Sequence, residues 1–128
     1  MDNTASIDTN PSWSANQHAP GLPADKMLWF RSLYLPDEQQ RHLAEASPLL
    51  WEGNWASLPP AVVLLGELDV LLYEGQMFAQ KLADAGVEVD VHTFKGQPHT
   101  FLAMDRVLDD GRRAITLFCE AMAKLTSS

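Results

Sequence analysis

A continuous apolar run, Ala61 to Leu65, constrains the fold of this chain more than any other feature. Such a run is typical of a strand that is buried on both faces of a parallel sheet. An amphipathic stretch from about Tyr73 to Ala85 predicts a helix after it, and Gly86 is suited to end that helix in a left-handed conformation. Valines then alternate with polar residues over positions 87–91, which indicates a strand with one buried face. The sequence therefore predicts a parallel β-α-β unit with a right-handed crossover and an α/β fold class.

The part of the chain before this unit differs in composition and in hydrophobic pattern. Residues 1–23 are rich in Asn, Ser, Asp and Pro and show no hydrophobic periodicity, so we expect a loop there. Residues 24–60 are expected to form short helices and loops. The first helix is predicted from about Ala24 to Tyr34, and a second from Pro36 to about Ala46 that buries little beyond Leu43.

Residues 61–125 are predicted to form the β-α-β-α core of one partial domain that spans 1–128. A last helix is expected from about Asp110 to Leu125. Its apolar stripe consists of Ala114, Ile115, Leu117, Phe118, Ala121, Met122 and Leu125.

This inventory leaves the predicted sheet incomplete. A strand such as Ala61–Leu65 needs neighbours on both edges, yet the sequence supplies one obvious partner strand. An open edge would expose unpaired backbone groups beside apolar side chains. We therefore expect the chain to be a fragment of a larger sheet, with strands missing before it. A partner chain or a second copy could then bind at the exposed edge.

Composition excludes several classes of function. The 128 residues carry a formal net charge of −8, which argues against binding to nucleic acid or to an anionic membrane surface. No apolar run approaches the length of a membrane span, and the N-terminus lacks the features of a secretory signal. The single cysteine, Cys119, favours a reducing, cytoplasmic location, and no metal-ligand spacing is present.

Two residues follow the two predicted strands at their carboxyl ends, where α/β proteins place functional groups. Asp69 comes after the first strand, and His99 lies in a Gly- and Pro-containing loop after the second. An acid that accepts a hydrogen bond from Nδ1 fixes the imidazole tautomer and leaves Nε2 free to take a proton from a serine. The alternatives are that Asp69 caps the following helix and that His99 is an ordinary surface residue.

The other candidate residues have simpler interpretations. His18, His42 and His92 are expected to be solvated, and alternation should point Glu67 away from Asp69. Cys119 is expected to be a small core residue. The tryptophans and neighbouring aromatics of the first half are expected to pack against the sheet, with an acyl pocket as the alternative. Five serines lack the strand–turn–helix context that activates a nucleophile, namely Ser12, Ser14, Ser32, Ser47 and Ser57.

Several motifs, in order, resemble a known family. They are Ala46-Ser47-Pro48-Leu49, Leu58-Pro59-Pro60, Gly66-Glu67-Leu68-Asp69 with Glu74-Gly75, Leu82-Ala83-Asp84-Ala85-Gly86-Val87 and Gly96-Gln97-Pro98-His99-Thr100-Phe101. With these the chain resembles the C-terminal part of the hormone-sensitive-lipase-like carboxylesterases, the α/β hydrolase fold-3 group. The resemblance implies hydrolysis of small carboxylic esters by a Ser-His-Asp triad without a cofactor, in which Asp69 is the orienting acid and His99 the general base.

The sequence departs from the family pattern in three ways. Val70 stands where the family has Pro, and Thr100 stands where it has Gly after the His, which would matter if that backbone needed a positive φ. No G-x-S-x-G nucleophile motif and no Gly-rich oxyanion loop occur. We therefore expect the chain alone to be inactive. The alternative is a non-enzymatic module that docks through its sheet edge, or one that complements a separate N-terminal half.

Overall fold

The computed structural model describes the backbone of residues 1–126 and the side chains of residues 1–124. Two strands form, β1 (Ala61–Leu68) and β2 (Val89–Pro98). The four α-helices are α1 (Pro11–Ala15), α2 (Ala24–Tyr34), α3 (Leu72–Asp84) and α4 (Asp109–Thr126). Short 3-10 helices occupy Glu38–His42, Pro48–Leu50, Trp55–Ser57 and Phe101–Met104.

The two strands pair in parallel, and α3 connects them, as the sequence predicts. Ala61 lies opposite Val89, and the register continues to Gly66 opposite Phe94 before an irregularity between Gly66 and Leu68. Within the described residues the sheet has these two strands only. This β-α-β arrangement confirms the predicted α/β fold class.

Gly86 ends α3 as expected. Its φ of +82° is in the left-handed region, which glycine adopts without the steric penalty of a Cβ. The amide of Val87 then donates to the carbonyl of Leu82 at 3.0 Å and satisfies one of the last carbonyls of the helix.

Most of the N-terminal 23 residues form turns and bends, as the sequence predicts, but residues 11–15 form a helix that it does not predict. Asn10 caps α1 by accepting from the amide of Ser12, and Pro11 occupies its first turn. Trp13 is fully buried and joins a core cluster. That cluster consists of Ala5, Trp13, Leu22, Ala24, Met27 and Val70. The sequence does not predict α1 because one large aromatic side chain, rather than a periodic pattern, anchors this segment.

A second core cluster lies between β2 and α4. It contains Phe94, Phe101 and Ala114, with Leu64, Leu108 and Leu117 packed against it. The rings of Phe94 and Phe101 are in tilted contact, with centroids 4.8 Å apart. This cluster places the loop after β2 against α4.

Several finer expectations are wrong. The stretch after Pro36 forms only the 3-10 helix Glu38–His42, and Leu43 is 53% exposed. Val91 is 44% exposed, while the neighbouring His92 is partly buried. Val91 therefore does not lie on a buried face of β2 as predicted. Cys119 is exposed rather than in the core.

Much of the apolar stripe of α4 faces solvent. Ala114 is buried, but Ile115, Phe118 and Met122 are 38%, 53% and 46% exposed. The predicted place of the Leu125 side chain on this stripe lies outside the described residues. None of the described helices is both long and apolar enough to cross a lipid bilayer.

Candidate active site

Asp69 lies just beyond the end of β1 and is 6% exposed. One carboxylate oxygen, Oδ1, accepts from the amide of Leu71 at 2.8 Å, and the Asp69 carbonyl accepts from the amide of Leu72 at 3.1 Å. This hydrogen bond closes a turn before α3 but does not cap the helix, because the N-cap residue is Leu71 and it makes no side-chain cap bond. The capping role considered for Asp69 is therefore not present. The second oxygen is free to face another group.

That group is His99. Its Nδ1 lies 2.7 Å from Asp69 Oδ2, although the two residues are thirty positions apart in the chain. The hydrogen bond to Asp69 raises the pKa of His99, with a smaller contribution from the charge of the carboxylate, while partial burial opposes the rise. The structure thus brings together the two residues that the sequence singled out. In the neutral imidazole, this contact favours the tautomer with the proton on Nδ1, which leaves the lone pair on Nε2.

The close approach of the two strands depends on Gly66. A Cβ at this position would lie 2.6 Å from the carbonyl oxygen of Gln97. Only a residue without a side chain lets the end of β1 run so near the backbone that leads to His99.

Polar side chains brace the end of β2 just before His99. Glu67 Oε2 accepts from the amide of Gly96 at 2.7 Å, so this carboxylate is engaged away from the imidazole, as expected. Gln97 Nε2 donates to Asp110 Oδ2 at 2.9 Å and ties the loop to α4. Thr100 has a φ of −90°, so the β-branched residue creates no backbone strain here.

The helix α1 supports the loop that carries Asp69, and sequence reasoning missed this. Asn16 Nδ2 donates to the carbonyls of Glu67 and Asp69, at 3.2 and 3.0 Å. Ser12 Oγ lies 2.6 Å from the carbonyl of Val70 and accepts from the amide of Tyr73 at 3.1 Å. The signal available in the sequence was the Asn10-Pro11 pair, which is typical of a helix start.

Glu74 is a second buried carboxyl group close to the pair. It is 3% exposed, and its oxygens accept from the amide of Asp2 at 2.6 Å and from Trp13 Nε1 at 2.9 Å. Burial raises the pKa of Glu74, and the two hydrogen bonds partly offset the rise. Arg31 packs over the Trp13 ring at 4.8 Å and donates to the carbonyl of Ala5. These contacts fix the N-terminal segment against α3.

A cavity of about 300 Å³ opens beside the Asp–His pair. His99 and Asp69 line it together with apolar side chains, among them Leu64 and Phe101. In the part of the chain that the structure describes, no tryptophan lines this cavity. Trp13 is buried in a core cluster, and Trp55 contacts Phe78 on α3. The expected packing against the sheet is wrong for Trp29, Phe30 and Tyr34, which are 56%, 44% and 67% exposed.

The remaining candidates lie elsewhere. His18 and His42 are exposed, and the Nε2 of His92 is 3.0 Å from Asp90. The hydroxyls of Ser12 and Ser47 are bonded to backbone groups, and across residues 1–124 no serine hydroxyl is hydrogen-bonded to His99. The same residues include no group of three or more His, Cys, Asp or Glu that could hold a metal ion.

Comparison with known proteins identifies the family. A profile of the alpha/beta hydrolase fold matches residues 3–103. The chain belongs to the α/β hydrolase fold-3 family. This confirms its resemblance to the C-terminal part of a fold-3 esterase.

Three similar proteins illustrate the relationship. An AB hydrolase superfamily protein of Schizosaccharomyces pombe is 40% identical over 87% of this chain and 33% of its own length. An esterase of Fusarium pseudograminearum is 37% identical over 80% of this chain and 32% of its own length. The solved structure of a hyperthermophilic esterase from Pyrobaculum calidifontis superposes with a TM-score of 0.85 at 27% identity, and the match covers 93% of this chain and 39% of that one. The chain thus spans about a third of the length of the curated relatives it matches.

Proposed function

We propose that this chain supplies the acid and the general base for hydrolysis of small carboxylic esters. Asp69 orients and stabilises the imidazole, and His99 transfers the proton. The observation that carries the proposal is the 2.7 Å contact between Asp69 Oδ2 and His99 Nδ1, at the edge of a cavity lined mainly by apolar groups. The family membership, and the esterases among the similar proteins, point to the same reaction class.

The reaction would use the free nitrogen of His99. As a serine oxygen bonds to the ester carbonyl carbon, Nε2 takes the serine proton and later delivers it to the departing alkoxide. A water molecule then attacks the acyl-serine, its proton passes to Nε2 and then to the released serine, and the acid leaves. Asp69 remains ionised and stabilises the imidazolium formed in each step.

The nucleophile is the component that residues 1–124 do not provide. We infer that the serine and the oxyanion donors come from sequence outside this chain, so the chain alone is inactive. Without a nucleophile, an oriented imidazole has nothing to activate. The family relationship favours this role over that of a non-enzymatic interaction module.

A complementation experiment tests the proposal. The N-terminal two-thirds of the Fusarium pseudograminearum esterase would be expressed alone and together with this chain, and hydrolysis of p-nitrophenyl acetate measured. We expect activity only when both parts are present, and a loss of at least about 10³-fold with His99→Ala, because the general base is gone.

His92→Ala is the matched control, because His92 also contacts an aspartate but lies away from the cavity. It should leave the reconstituted activity within about twofold, since it removes no group that reacts. Activity of the chain alone, or reconstituted activity that survives His99→Ala, would contradict the proposal.

A further inference from the structure

The backbone that carries Asp69 leaves the sheet and needs new hydrogen-bond partners. Beyond Gly66 the strand pairing becomes irregular, and Asp69, Val70 and Leu71 connect β1 to α3. The helix itself begins without a side-chain cap, because its N-cap residue is Leu71. Polar backbone groups at such a turn are costly to leave unpaired when they are buried. The partners come from α1, more than fifty positions earlier in the chain.

Asn16, at the C-terminal end of α1, contacts the first half of this turn. Both of its amide protons are used, one toward the carbonyl of Glu67 and one toward that of Asp69, at 3.2 and 3.0 Å. One carbonyl belongs to the peptide unit before Leu68 and the other to the peptide unit after Asp69. A single planar amide therefore fixes the backbone on both sides of the Leu68–Asp69 pair.

Ser12 holds the second half of the turn from the other end of α1. Ser12 is 6% exposed, and its hydroxyl bridges the carbonyl of Val70 and the amide of Tyr73. Between these two polar contacts, the Val70 side chain is 0% exposed and packs in the core cluster with Trp13. The residue after the acid is thus held by a hydrogen bond and by packing, both supplied by the N-terminal segment.

We propose that Ser12 and Asn16 are positioning residues that hold the Asp69 carboxylate in the orientation that reaches His99. The inference rests on the proposed function, because it assigns these residues a part in the same acid–base pair. Neither side chain is hydrogen-bonded to His99, and neither lines the cavity beside it. They act through the backbone of residues 67–73, which fixes where the carboxylate of Asp69 points. In this interpretation Ser12 is a structural hydroxyl of the acid loop and not a nucleophile.

The test uses the 128-residue chain and does not require activity. The pKa of His99 is measured from the pH dependence of its imidazole carbon-bound protons by NMR, in the parent chain and in Asn16→Ala, Ser12→Ala and Asp69→Asn. Asp69→Asn should lower the pKa most. Asn16→Ala and Ser12→Ala should each lower it by about 0.3 to 1 unit, because a misplaced carboxylate favours the imidazolium less.

Matched controls come from an exposed turn elsewhere in the chain. Asn54→Ala and Ser57→Ala remove the same side-chain types, and the Ser57 hydroxyl also donates to a backbone carbonyl. Both should leave the His99 pKa unchanged. A folded Asn16→Ala chain with the parent pKa, while Asp69→Asn lowers it, would overturn the positioning role and leave the acid–base pair intact.

Two further outcomes remain decisive. An unchanged pKa in Asp69→Asn would mean that the pair itself does not form, which would overturn the proposed function and this inference together. If Ser12→Ala does not fold, the test uses Asn16→Ala alone, since Asn16 is only half-buried. If Asn16→Ala also fails to fold, the positioning role is overturned, since α1 would then be required for the fold as a whole.

Discussion

Glu74 shows how one buried side chain couples the N-terminal segment to the site. Its carboxyl lies between the amide of Asp2 and the indole of Trp13, lines the same cavity as His99 and is almost fully removed from water. Desolvation raises its pKa above the ordinary value of 4.5. The unfolded chain therefore releases this proton at a lower pH than the folded chain does.

This difference predicts a pH dependence of stability. For a carboxyl whose folded pKa is raised, the contribution to stability is full below about pH 4.5 and is lost as the pH rises through the folded pKa. At low pH, Glu74→Gln should lower the free energy of unfolding by about 1–3 kcal/mol, because the hydrogen-bond match of Gln is imperfect. The variant should also lack the part of the pH dependence of stability that comes from Glu74. Urea unfolding between pH 4 and pH 8 measures both effects.

The control is Glu88→Gln, since Glu88 is exposed. It should leave the slope of stability against pH as in the parent chain. Equal slopes in the parent and in Glu74→Gln would show that the pKa of the buried carboxyl is not raised by folding.

At the scale of elements, Gly66 sets the spacing between the end of β1 and the segment that carries His99. Gly66→Ala would place a methyl group 2.6 Å from Gln97 O and 3.0 Å from Pro98 O. Both neighbours are backbone atoms, so they cannot move aside as a flexible side chain could. We expect a loss of about 1–3 kcal/mol in the free energy of unfolding, the usual cost of overpacking, and a lower His99 pKa as the two strand ends separate.

Gly86→Ala is the control that separates a loss of stability from a change in the His99 pKa. Gly86 has a φ of +82° and no atom within 4 Å of an added Cβ, so its substitution costs backbone strain alone, about 1–2 kcal/mol. Denaturant unfolding and NMR titration of both variants should show lower stability in each but a changed His99 pKa only in Gly66→Ala. A normal His99 pKa in folded Gly66→Ala would contradict the spacing argument.

The elements that the sequence could predict are those set by local pattern. The helices α2, α3 and α4 begin and end within about two residues of the expected positions, because periodicity and end signals are local. Strand β2 runs to Pro98, well past the expected end, since its second half is stabilised by pairing and by the burial of Phe94. Helix α1 was not predicted, because five residues are too few to show a helical hydrophobic periodicity.

The candidate site divides in the same way. Asp69 and His99 were predictable because the carboxyl ends of adjacent parallel strands must lie side by side. Ser12, Asn16 and Glu74 were not, because their contacts join positions 51 to 72 residues apart. No local pattern in the sequence encodes such contacts.

At the scale of the whole molecule, large apolar side chains are exposed on α4 and on the sheet. Val91 on β2 and Phe118 on α4 are 44% and 53% exposed, and the two-stranded sheet has a free edge on each strand. The expected full burial of β1 is also not reached, since Ala61 to Leu64 are only partly buried. Open strand edges beside apolar side chains favour association with another chain.

This surface predicts self-association of the isolated chain. Sedimentation velocity over a concentration series should show species larger than the 14.2 kDa monomer, and Phe118→Ser should reduce them while changing the free energy of unfolding by less than about 0.5 kcal/mol. The matched variant is Phe101→Ala. That ring is 1% exposed and packs on Phe94, so its loss should cost about 3–5 kcal/mol without relieving association.

Comparison of Phe118→Ser with Phe101→Ala separates an effect on association from an effect on the stability of the monomer. Exposed apolar area contributes little to the stability of the monomer, because it stays in contact with water in the folded state as in the unfolded state. It contributes to association only if a second surface covers it. A parent chain that sediments as a single monomeric species at every concentration, and melts cooperatively, would therefore mean that two strands and their helices suffice as a closed unit.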